Sequence, residues 1–63
     1  MVKKLNYLVE YESRSGHFQE VELEVNFKVV NKVKYSILDE MARRHIIANI
    51  LKKGGRTIKI EGI

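Results

Sequence analysis

Phe18-Gln19-Glu20-Val21-Glu22-Leu23-Glu24-Val25-Asn26-Phe27 decides how this chain folds. From Val21 to Phe27 every second residue is apolar, and Glu or Asn fills the gaps. A period of two built from β-branched and aromatic residues is the pattern of a strand with one buried face and one wet face. Here the wet face is almost wholly anionic.

Working back from this strand, Leu5-Asn6-Tyr7-Leu8-Val9-Glu10-Tyr11-Glu12 alternates in the same way. Between the two lies Arg14-Ser15-Gly16, where Gly16 alone adopts a left-handed conformation without penalty. This predicts a three-residue hairpin loop closed by a glycine bulge, with Ser13 paired to His17. That pairing sets Val9 against Val21, Tyr7 against Leu23 and Leu5 against Val25 on the core side. Turn chemistry and hydrophobic phase thus agree on one register.

The same register sets Glu10 opposite Glu20 on the outer face, with Glu12, Glu22 and Glu24 beside them. Like charges directly opposite destabilise a hairpin modestly, so the arrangement needs a reason. One is a solvated face that resists aggregation; the other is a docking surface for a basic partner. Leu8 and Phe18 fall on that face as well, and apolar groups within an acidic field point towards a contact patch.

Working forward, Asn31 is placed to cap a helix beginning near Lys32, with Ser36 and Asp39 offering a later start. Successive steps of one hundred degrees gather Val33, Ile37, Leu38, Met41, His45, Ala48 and Leu51 on one face, the face expected to be buried. Lys52 and Lys53 fall in the last turn, and Gly54-Gly55 ends it. Ile46, Ile47 and Ile50 then point away with Asp39 and Arg43. Apolar side chains with no second layer to cover them suggest a self-association surface and a homodimer. The alternative breaks the helix near His45 and forms a C-terminal hairpin from Ile46 onward. Arg56 to Ile63 reads as a short alternating strand, with Ile58 and Ile60 expected inward.

The expected fold is therefore a single α+β domain over residues 1–63, a two-layer ββαβ arrangement with an antiparallel sheet in the order 2-1-3. The alternative is ββαββ. The order of elements resembles that of small β-rich domains in some ribosomal proteins and of short reading frames carried by phages and plasmids. No motif is specific to either, so the resemblance transfers no residues.

Composition narrows function further. The 63 residues include no Cys and only two His, which excludes disulfides and thiolate metal sites. The apolar runs are too short to span a bilayer, so the chain reads as a soluble cytoplasmic protein. There is no glycine-rich phosphate loop and no nucleophile beside a base, and Glu10 and Glu20 on an open face stay hydrated. His45 reads as a core or boundary residue, His17 as exposed and Met41 as core filler. An enzyme, a cofactor, a metal and a small-molecule substrate are all unexpected.

Charge is segregated. Residues 1–27 hold three Lys or Arg against five Glu, net −2, and residues 28–63 hold nine against three acids, net +6. The expectation is a non-enzymatic protein-interaction or regulatory module. Its partner would be met by Leu8, Glu10, Glu12, Phe18, Glu20, Glu22 and Glu24, and it would self-associate through Ile46, Ile47 and Ile50. The second reading is an accessory nucleic-acid binder touching phosphates with Lys52, Lys53 and Arg56.

Overall fold

A computed structural model describes residues 2–63. Strand β1 (Val2–Glu12) is followed by β2 (Phe18–Lys28), helix α1 (Tyr35–Lys52) and β3 (Arg56–Gly62). The three strands form one antiparallel sheet in the order β2-β1-β3, the expected α+β arrangement. Residues 46 to 51 are helical, which removes the C-terminal hairpin.

The hairpin follows its predicted register without a slip: Val9 faces Val21, Tyr7 faces Leu23, Leu5 faces Val25 and Glu10 faces Glu20. Ser13 N–H donates to the His17 carbonyl at 2.8 Å, and Gly16 takes φ +83° in the turn. The long paired strands account for the elongated shape, 41 × 21 × 16 Å.

Helix α1 starts later than expected. Residues 29–34 are irregular, so Asn31 caps nothing; Lys34 is the N-cap and makes no side-chain cap bond. Its 18 residues span about 27 Å. At the C-terminus Gly55 N–H reaches the Ile50 carbonyl and Gly54 N–H the Leu51 carbonyl, both at 2.9 Å, with Gly54 at φ +83°. This is a Schellman closure, and it turns the chain straight into β3.

Of the expected buried face of the helix only Leu38 is buried. It packs with Ala42, Ile46 and Ile50 on Leu5, Tyr7 and Val9, while Val33, Ile37, Met41, His45, Ala48 and Leu51 are exposed. Ile46 and Ile50 are only 3% and 8% exposed, so they belong to the core and cannot form a self-association surface; Ile47 alone of that group stays partly open, at 39%. The two apolar stripes lie on opposite sides of the helix. The choice between them is made by Asp39 and Arg43, which flank the inner stripe and bind the sheet. Tyr7 hydroxyl donates to Asp39 Oδ1 at 2.7 Å, Arg43 Nε donates to Asp39 Oδ2 at 3.0 Å, and Arg43 Nη1 donates to the Ile60 carbonyl at 2.7 Å. The Arg43 guanidinium also lies 5.4 Å from the centre of the Tyr7 ring.

Strand β3 carries a second departure. Its pairing with β1 shifts between Glu10, opposite Lys59, and Tyr11, opposite Thr57, so Ile58 has no partner. The bulge turns Thr57 inward and leaves Ile58 exposed, whereas Ile60 keeps its inward place.

Candidate functional site

Helix α1 lies over β1 and β3. The inner face of β2 is left without a full cover, and Val21, Leu23 and Val25 are only half-buried. Between that face and α1 runs an open groove of about 950 Å³. Val21, Leu23, Val25, Ile46 and Ile50 give it an apolar floor and wall, and His45, Asn49, Lys53 and Arg14 stand at its rim. His45 is exposed there rather than buried, with Nε2 3.1 Å from Asn49 Nδ2.

The opposite face of the sheet bears the acidic side chains, but they are not equivalent. Glu12 forms an ion pair with Arg56 at 3.2 Å, and Glu24 pairs loosely with Lys4 at 3.8 Å. Among the described residues Glu10, Glu20 and Glu22 have no ion pair, although Glu10 lies opposite Lys59, which pairs with Glu61 at 3.3 Å. Leu8 is half-buried in mid-sheet between Glu22 and Glu61. Phe18, 71% exposed, sits opposite Glu12 at the loop end. Four residues of β1 separate the two positions, about 13 Å, so Leu8 and Phe18 do not form one patch.

The basic residues are also redistributed. Arg56 is engaged with Glu12, and of the predicted phosphate contacts only Lys53 lines the groove. The place of Arg56 is taken by Arg14, whose Cγ and Cδ lie about 3.1 Å from where a side chain on Gly54 would begin. This neighbour was legible in outline, because any ββαβ chain brings the hairpin loop and the helix-to-β3 connection to the same end of the sheet. The register that places the arginine stem on the glycine required the folded structure. Lys53 and Arg14 therefore both line the groove, with Lys52 next to Lys53 in the chain.

Among the described residues no three His, Asp or Glu side chains converge on a point that would hold a metal ion, and no helix is long and apolar enough to cross a membrane. The displaced titrations belong to Tyr7 and Asp39. Burial, then the bond to Asp39, pushes the Tyr7 hydroxyl well above its usual range. The bond from Tyr7, then Arg43, holds the Asp39 carboxyl below the usual carboxylate range against the opposing effect of dehydration. Both groups point at each other across the helix–sheet contact and tie α1 to β1. Comparison with protein-family models, with curated proteins and with solved structures finds no match to this chain.

Proposed function

We propose that this chain is a non-enzymatic interaction module that binds a protein partner through β2. The observation that carries this reading is the one-sided cover of the sheet. An apolar groove runs along the inner face of β2, and the outer face of the same strand bears Glu20 and Glu22 without cations. A chain this small has little apolar surface to spare, so leaving one strand half-covered sacrifices stability unless something else covers it. Clustered carboxylates next to exposed apolar groups select basic partners and steer their approach.

The other reading is nucleic-acid binding by Arg14, Lys52 and Lys53, supported by the contact of the Arg14 stem with Gly54 and by Arg14 and Lys53 lining one groove. The glycines of that turn allow close approach of a phosphate. Against it stand the acidic sheet face and the loss of Arg56 to Glu12.

Capture from native lysate, with and without nuclease, separates the two. Under the protein reading, capture survives nuclease and is lost in the Glu20→Lys/Glu22→Lys double variant, with the thermal midpoint unchanged or raised. Nuclease-sensitive capture lost in Lys52→Ala/Lys53→Ala would replace it with the nucleic-acid reading.

A further inference from the structure

The two edges of the sheet are finished differently. Ile63 N–H bonds the Asn6 carbonyl at 3.0 Å, so in the β1–β3 register Lys59 and Glu61 turn their backbone groups towards β1 and Ile60 turns its own outward. That outward carbonyl is taken by Arg43 Nη1. The β3 edge is thus occupied at Ile60 by the chain's own helix. On the other side, the Ser13 to His17 bond fixes which residues of β2 face β1. Glu20, Glu22, Glu24 and Asn26 turn their N–H and C=O groups to the free edge, and no described residue meets them.

The sheet also contains its own example of how an acidic strand is answered. Against Glu12 of β1, strand β3 sets its ion partner Arg56 on the outer face; Lys59 stands opposite Glu10 on that face, with its ammonium 3.3 Å from Glu61, and Ile60 takes the inner face. Strand β2 repeats the pattern of β1, with Glu20, Glu22 and Glu24 outside and Val21, Leu23 and Val25 inside, and has no such neighbour on its free edge.

We propose that β2 accepts an extended segment of a partner protein as a fourth strand, one that alternates basic residues on the Glu face with apolar residues on the groove face. This rests on the reading of β2 as the docking element and adds the mode and the sequence pattern of the partner. Main-chain bonds from the free edge give the segment its extended form, and the alternation gives selectivity. A second copy is a poor occupant. Antiparallel pairing of β2 with its twin brings Glu20, Glu22 and Glu24 of both chains onto one face in any register about a two-fold axis, and like charges across a ladder repel.

The test uses the intact protein and an acetylated synthetic peptide of about seven residues alternating Lys and Val, the length that spans Glu20 to Asn26. Controls are the Glu–Val counterpart, a block peptide of the same Lys and Val content, and the alternating peptide N-methylated at every second residue. Binding is followed by amide shifts and hydrogen exchange. The expected result is slowed exchange at the amides of Glu20, Glu22 and Glu24 with the alternating peptide only. Glu22→Lys, on an exposed position that leaves folding intact, weakens binding roughly fivefold to tenfold and restores affinity for the Glu–Val peptide. Equal binding of the block or N-methylated peptide overturns the proposal, as does edge protection already present in the peptide-free protein together with a dimeric mass, which would make a second copy the occupant. Perturbation of Val21 and Leu23 without edge protection also overturns the strand mode, while leaving the broader reading of β2 as the docking surface in place.

Discussion

The Tyr7 hydroxyl, on a fully buried ring in the middle of β1, donates to Asp39 on the first turns of α1 at 2.7 Å. This bond and the Arg43 contacts around it set the rotation of the helix on the sheet. Removing the hydroxyl in Tyr7→Phe keeps the packed ring and takes from Asp39 its strongest hydrogen bond. Hydrogen bonds to charged groups contribute roughly 1.5–3 kcal/mol, and the partial exposure of Asp39 puts the expected loss near the lower figure. Urea unfolding of the two proteins at neutral pH measures it.

The same pair predicts both limbs of a pH profile. Asp39 has a depressed pKa when folded, so its contribution is present above the unfolded value of about 3.9 and is lost as pH falls through the lower folded value. Tyr7 has a raised pKa when folded, so its contribution is present below about pH 10 and declines as pH rises beyond it. Stability measured from acid to alkaline pH should lose its alkaline decline in Tyr7→Phe, and Asp39→Asn should flatten the acid limb. Unchanged limbs in both variants would remove the pair from the pH response.

Ile46 is the most deeply buried isoleucine of α1, with Val9 and Tyr7 in the same core cluster. Ile46→Ala should cost about 2–5 kcal/mol by leaving a cavity, enough to unfold much of a domain this small. Ile50→Glu should unfold the protein rather than dissociate an oligomer. Circular dichroism together with sedimentation distinguishes these outcomes, and a folded monomer produced by Ile50→Glu would contradict the core assignment.

Gly55 sits where a Cβ would fall 2.8 Å from the Glu12 carbonyl oxygen and 3.1 Å from Ile50 Cγ2. The first neighbour is backbone and cannot yield cheaply, so Gly55→Ala should force the helix end away from β1. Gly54→Ala is strained for a different reason, its positive φ. Both should lower the thermal midpoint, with Gly55→Ala also shifting the amides of Glu12 and Tyr11.

Thr57 presents a buried hydroxyl oxygen with no hydrogen-bond partner among the described residues. Replacing it with Val keeps the shape and removes a dehydrated polar atom. Thr57→Val should therefore stabilise the protein by about 1 kcal/mol, read from chemical unfolding. A loss of stability would mean that the hydroxyl is satisfied in solution.

By itself the sequence determined the hairpin, because its information is local: the turn glycine and the phase of two adjoining alternations must agree, and one slipped residue would turn every Tyr, Val and Leu to water. Strand order followed from handedness, and the helix stop from Gly54-Gly55. The rotation of α1 was not legible. Ile37, Met41, Ala48 and Leu51 form an apolar stripe opposite Leu38, Ala42, Ile46 and Ile50, and periodicity cannot rank two stripes that oppose each other. Only the tertiary structure decided between them, because Asp39 and Arg43 find their partners, the Tyr7 hydroxyl and the Ile60 carbonyl, on two strands distant in sequence. That rotation buries Ile46 and Ile50, brings Arg43 to the Ile60 carbonyl on the β3 edge and leaves β2 half-covered. The acidic strand was visible in the chain from the start. Its free edge and its groove exist only because the helix settles on the other side of the sheet.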